Sequence, residues 1–282
     1  MRSRASRIPV LIGFGLLALV LTLLVGGVWS ALLVANLAIS PAIPWSVVAM
    51  AVLLLVLWTY LNGNWGPRRT AETRRRYLRA GLVPYCVFVW ALVAGLLAIV
   101  SLDGLWIVLF QLFNLAGTRA STLPDYSKYP PLTVALVLVM ASLVGAISEE
   151  AGIRGYFQGT LEGSVGGVAA IIVAAVVIAP GHGLTQGFVL PTLLFYLCVD
   201  IMFGAMAYLT HSILPGIVVH TLGLLTFFTL VWPSDALRQT LGSGDANTWF
   251  WIHLAQTIVF AALAILAFSR LAHSARTAAT YK

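Results

Sequence analysis

The feature that most constrains this chain is the recurrence, from one end to the other, of uninterrupted apolar runs. About 20 such residues, at 1.5 Å each in a helix, cross roughly 30 Å of hydrocarbon. No water reaches that depth, so every backbone N–H and C=O must bond within its own segment, which an α-helix achieves. The residue-by-residue alternation of a membrane β-barrel is absent. Composition closes the soluble alternative. Of 282 residues, 60% are hydrophobic and only 9% charged, where a soluble domain carries roughly 25% charged residues. The expected fold is all-α, a polytopic transmembrane helical bundle forming a single integral membrane domain over residues 1–282.

Eight spans fit the apolar pattern, at about 8–36, 42–62, 80–101, 131–155, 166–181, 188–209, 213–231 and 249–270. The first run follows Arg2, Arg4 and Arg7 as a signal peptide would. It is far longer than the roughly 7–15 apolar residues of a cleavable one, so it reads as a retained anchor. Leu105–Leu115 is apolar but too short to cross and reads as an interfacial or re-entrant element. The basic residues sort by side. Arg2, Arg4, Arg7, then Arg68, Arg69, Arg74, Arg75, Arg76 and Arg79, then Arg270, Arg276 and Lys282 fall on one face of the membrane. Arg119, Lys128 and Arg238 fall on the other. The positive-inside rule then makes both termini and the 63–79 loop cytoplasmic, with the cell membrane as the expected location. The formal net charge of +7 is thereby absorbed by topology and headgroup attraction. Without interleaved aromatics or a binding module, the arginine run gives no reason to expect nucleic acid. The two cysteines, Cys86 and Cys198, have neither metal nor redox spacing and read as small buried packing residues.

Charged groups inside spans are costly, about 2.5–3.5 kcal/mol each on insertion scales, so they mark function by default. Glu149, Glu150, Arg154 and Asp200 are such groups. Glu150 and Arg154, four apart, share a helix face and can pair. Glu149 points elsewhere and is left for another task, such as acting as a general base toward water. His182 follows Ala179-Pro180-Gly181, and His220 lies within the seventh run. Either histidine alone is a common structural donor. Together with the glutamate pair they are expected to converge on one interior cavity.

This pattern, Glu149-Glu150-x-x-x-Arg154-Gly155, then a histidine after the next span and another two spans later, resembles the CAAX prenyl protease and bacteriocin-processing (CPBP, abortive-infection-like) family of intramembrane endopeptidases. Thr210-His211-Ser212-Ile213-Leu214-Pro215 also resembles that family's approach to its last histidine, and the resemblance extends over about 131–231, the expected catalytic core. It implies that Glu149 and His182 position and activate water, that His220 stabilises the oxyanion, and that Glu150 and Arg154 form the supporting ion pair. The implied substrate is a peptide or protein terminus presented at the lipid bilayer, lipid-modified in related proteins.

One departure matters. The family places an asparagine four residues after its last histidine as a second oxyanion donor, and here Leu224 stands there. Loss of one such donor costs about 10²–10³ in turnover. Thr221 is the nearest substitute. An alternative reading is therefore a catalytically impaired relative that binds, confers immunity or scaffolds. A carboxylate-coupled transporter using Glu149, Glu150 and Asp200 is a third, weakened by the lack of an internal repeat. A Glu149–His182–His220 zinc site in the three-ligand style stays open beside a metal-free site. No His-Glu-x-x-His pattern supports it, and metal-free hydrolysis is favoured.

Overall fold

The computed structural model describes residues 8–113, 126–186, 188–233 and 247–280. Arg2, Arg4, Arg7, Arg119, Arg238 and Lys282 lie outside the described residues, as does the end of Leu105–Leu115. Among the described residues the protein is all helical. The helices are α1 (Ile8–Ile39), α2 (Trp45–Leu61), α3 (Arg68–Leu78), α4 (Tyr85–Leu112), α5 (Pro131–Glu149), α6 (Gly159–Val165), α7 (Gly167–Gln186), α8 (Leu190–Thr210), α9 (Leu214–Thr226) and α10 (Thr248–Thr280). A π-helical stretch, Glu150–Gln158, joins α5 to α6, and a second, Phe227–Val231, extends α9.

Six of these helical rods are long and apolar enough to cross a membrane, and Trp45–Leu61 and Gly167–Gly183 are shorter apolar helices. All eight fall where apolar runs are read in the sequence. The chain is a multi-pass membrane protein.

Boundaries differ from the expectation in three places. Leu105 to Leu112 is the last part of α4 rather than a separate interfacial element, so Asp103 lies inside a span. The α5 rod runs on through α6 to Val165, which puts Glu149 and Glu150 near its middle instead of near its end. Gly159–Val165, between the expected fourth and fifth spans, is helical, and Gly166, at φ 86°, makes the turn into α7. Pro180 and Gly181 stay within α7. The helix loses one amide there but is not interrupted.

The described residues fall into two compact units. The first holds α1, α2, α3, α5 with its π-helical continuation, α6 and α9. Its core is Leu21, Val25 and Trp29 of α1 against Met50 and Leu54 of α2 and Val137, Met140 and Val144 of α5. Asn36, fully buried, ties α1 to α2. Its amide donates to the Ser40 and Ile43 carbonyls at 2.9 and 2.8 Å, and its Oδ1 accepts from the backbone and hydroxyl of Ser46 at 2.9 and 2.7 Å. One side chain thus satisfies the polar groups freed where two helices meet.

Two arginines that read as topology signals also have packing roles. Arg74 is 7% exposed. Its guanidinium lies 4.1 Å over the Tyr60 ring and donates to the Tyr60 carbonyl at 2.6 Å. Arg79 ends α3 in the left-handed conformation, φ 56°. Its side chain pairs with Glu162 at 2.8 Å, and its carbonyl accepts the Ile213 amide at 3.0 Å, tying the start of α9 to the end of α3. Arg68, Arg69, Arg75 and Arg76 are exposed.

Gly155 of the π-helical stretch lies under the end of α3. A β-carbon there would sit 2.9 Å from the Leu78 carbonyl oxygen and 3.0 Å from that of Tyr77. Backbone cannot rotate away as a side chain can. Gly155→Ala is therefore expected to lower stability by about 1–3 kcal/mol through overpacking, read as a lower midpoint in thermal unfolding of detergent-solubilised protein.

The second unit holds α4, most of α7, α8, the Phe227–Val231 turn and α10. Along its α4–α10 seam, Ser101 donates to the Thr257 carbonyl and Gln256 to the Val100 carbonyl, each at 2.8 Å. Small residues at the contact permit that approach: a β-carbon on Gly104 would lie 2.7 Å from the Thr257 hydroxyl. This is how helices associate in lipid, where apolar burial offers no net drive. Cys86 and Cys198 are exposed, contrary to expectation. In a membrane helix the outward surface is itself apolar, so a thiol gains nothing by facing inward.

Candidate functional site

Three of the charged groups singled out in the sequence and one histidine meet inside the first unit. The helix that carries them changes from α to π hydrogen bonding between Glu149 and Glu150, a wide turn that recurs at functional sites. Glu150 is fully buried and Arg154 is 1% exposed. Their pairing is loose, with Arg154 Nε 3.8 Å from Glu150 Oε1. The closer partner of Glu150 is His220 of α9, whose Nδ1 lies 3.1 Å from the same oxygen. A carboxylate only accepts, so Nδ1 carries the hydrogen of this bond. His220 Nε2 then points the other way, 3.8 Å from Glu149 Oε2.

The imidazole therefore sits between two carboxylates on consecutive residues. The sequence assigned Glu150 to Arg154 and left Glu149 apart. That the glutamates reach one ring from opposite sides was not readable from the spacing, because residues 70 apart in sequence carry no mutual periodicity. Glu149 is the more accessible of the two, with 19% of its side chain exposed against 0% for Glu150. The closer carboxylate is thus fully buried, while the farther one keeps part of its side chain accessible.

Gly216, one helical turn before His220, makes room for this. A β-carbon there would stand 2.5 Å from Glu150 Oε2, so the carboxylate rests directly on the α9 backbone.

Leu224 is one turn beyond His220 on the same face of α9. Its Cδ1 lies over Gly145, 2.8 Å from where a β-carbon would be. The position at which the resemblance expects a carboxamide thus carries a methyl group packed on α5, one turn before Glu149. Thr221 does not replace it, because its hydroxyl donates to the Ile217 carbonyl of its own helix at 2.7 Å.

His182 belongs to the second unit, near the end of α7. Its ring stacks on Tyr196 with centroids 3.7 Å apart. Asp200 is in the same unit, 3% exposed on α8. Asp103 was missed by the sequence reading, which ended its span at 101. Joining that apolar run to the next would have placed a carboxylate inside α4.

Among the described residues no group of three or more His, Cys, Asp or Glu side chains is arranged to hold a metal ion.

Residues 131–225 match the family model described as type II CAAX prenyl endopeptidase Rce1-like. The match contains Glu149, Glu150, Arg154, His182 and His220, and covers the segment from which the resemblance was read. Neither a curated protein nor a solved structure matches the chain.

Proposed function

We propose that this chain, built around its Rce1-like domain at residues 131–225, is an intramembrane endopeptidase that hydrolyses a peptide bond with water activated by Glu149 and His182. The observation that carries the reading is the imidazole of His220 held between Glu149 and Glu150 at 3.8 and 3.1 Å. Glu149 Oε2 accepts a proton from water as its oxygen attacks the carbonyl carbon. His182 carries the second water-activating role by the family resemblance alone. As the C=O bond opens, negative charge develops on oxygen. Charge of that kind is stabilised by donors held about 2.7–3.1 Å from it, without reorganisation.

His220 Nε2–H is the donor in this reading. Glu150 on Nδ1 fixes the plane of the ring, as an acid does behind a histidine in other hydrolases. Arg154 Nε in turn lies 3.8 Å from the same carboxylate oxygen. The proton held by Glu149 then passes to the leaving nitrogen as the C–N bond breaks. A base and an oxyanion donor a few ångströms apart suit the two oxygens of one tetrahedral carbon.

The substrate we infer is a peptide or protein terminus at the bilayer, with both chain termini on the cytoplasmic face of the cell membrane. Water activation is assigned to side chains alone, with no step through a metal. The test uses the full chain in proteoliposomes with a fluorogenic peptide ending in Cys-aliphatic-aliphatic-X, offered both S-prenylated and unmodified. Cleavage of either, unaffected by a zinc chelator, is the expected result. No cleavage of either peptide by monodisperse protein removes the reading. The packing of Leu224 on Gly145 would then favour the impaired relative that binds or scaffolds.

Gly216→Ala gives a sharper check. Its new methyl displaces the Glu150 carboxylate, which can rotate aside, so the fold survives while the ring loses its anchor. Turnover is expected to fall by about 10²-fold, as for a 1 Å misplacement in an active site, with a smaller loss of thermal midpoint than in Glu150→Gln, because the displaced buried carboxylate is kept beside Arg154.

A further inference from the structure

His182 and Tyr196 in the second unit have ring planes only 5° from parallel, with centroids 3.7 Å apart. That is closer than the roughly 4.5–7 Å usual for aromatic pairs, and it leaves the imidazole no room to turn about its own bond without striking the phenol. Tyr196 is itself braced. Phe195 meets its ring at 78° with centroids 5.2 Å apart. Phe195 in turn packs against Trp106 of α4 at 5.0 Å, and Trp106 against Phe227 at 5.2 Å. Trp106 is 1% exposed and Phe195 5%, so this row of rings is part of the packed interior.

The α7 backbone around His182 carries a proline and two glycines. Pro180 removes an amide two residues before it, and Gly181 and Gly183 flank it. Phe188 lies across Gly183, where a β-carbon would come 2.5 Å from its ring. The tyrosine ring, lying flat against the imidazole, sets its plane.

We propose that Tyr196 is the positioning residue for His182, its ring fixing the imidazole plane and hence the direction of the two ring nitrogens. The phenol takes no proton and touches no substrate in this role. The inference rests on the proposed hydrolase reading, because a water-activating imidazole needs a fixed plane and a merely packed one does not.

The experiment compares Tyr196→Phe and Tyr196→Leu in the purified full chain with two readouts. One is cleavage of the S-prenylated fluorogenic peptide. The other is the ring-proton resonance of His182, assigned with His182→Gln in selectively histidine-labelled protein. Tyr196→Phe, which keeps the ring, is expected to stay within about twofold of the parent. Tyr196→Leu should lower kcat by about tenfold or more with KM little changed, as a loosened supporting shell does. It should also abolish the upfield ring-current displacement of His182. Should Tyr196→Leu not purify as a monodisperse species, Tyr196→Met carries the same expectation. An unmoved resonance in the ring-less variant overturns the proposal, as does a loss in Tyr196→Phe equal to that in Tyr196→Leu. If the parent protein cleaves nothing, the hydrolase reading fails while the resonance arm still decides whether Tyr196 sets the ring.

Discussion

Glu149→Gln is expected to lower turnover on a cleaved peptide by about 10²–10⁴-fold, the range a positioned general base contributes. The amide is nearly isosteric and cannot take a proton from water. Stability should hold, since Glu149 keeps part of its side chain accessible and is 3.8 Å from its nearest ionic partner, His220. The neighbouring substitution is the control. Glu150→Gln removes the charge behind His220 Nδ1 and the carboxylate 3.8 Å from the buried Arg154 guanidinium, so it should cost stability as well as rate. Steady-state kinetics and thermal unfolding on both variants separate the roles. Glu149→Gln with unaltered turnover would dismiss Glu149 as the base.

The second large effect runs in the opposite direction. Leu224→Asn should raise turnover by about 10²–10³-fold, the amount usually lost with one oxyanion donor. Leu224 is one turn past His220, half-buried, with a methyl over Gly145. A carboxamide is shorter and fits the same space. It would present its N–H₂ on the face of α9 that bears His220. The gain should appear in kcat rather than KM, because the added hydrogen bond forms only as charge develops on the carbonyl oxygen. A gain by Leu224→Asn that vanishes in Leu224→Asn/His220→Ala would show that the two donors serve one oxyanion. No gain on a substrate the parent cleaves would mean that the chain makes its oxyanion site elsewhere.

These two expectations come from different kinds of information. Glu149, Glu150, Arg154 and His220 were legible in the sequence because each is a polar group in a run whose solvent is hydrocarbon, where an unexplained charge is too costly to be neutral. The same one-dimensional cost identified His182. Nothing in that cost says which groups touch. Glu150 was expected beside Arg154, four residues along one helix, and the structure gives its shorter contact to a ring 70 residues away. A π-helical turn beginning at Glu150 changes how successive side chains are directed. No hydrophobic period in the sequence announces such a turn.

Glycines show the same division. Gly155 and Gly216 are ordinary small residues to a sequence reading. Only the packed chain reveals that the first lies under two carbonyl oxygens and the second under a carboxylate. Arg74 and Arg79 could be counted as charges near a membrane face. Their work in closing the α2–α3–α9 corner depends on Tyr60, Glu162 and Ile213, which tertiary structure alone brings to them.

By itself the sequence determined that this chain is a helical membrane protein with polar groups concentrated in one motif-bearing segment. Burial of backbone and charge in lipid is a local, additive penalty that each stretch of residues meets alone. Tertiary structure decided that Glu149 and Glu150 approach one imidazole, that only Glu149 keeps part of its side chain accessible, that Leu224 packs over Gly145, and that the His182 ring stacks on Tyr196. Those outcomes are distances between side chains remote in sequence, and packing fixes them only once the helices have come together.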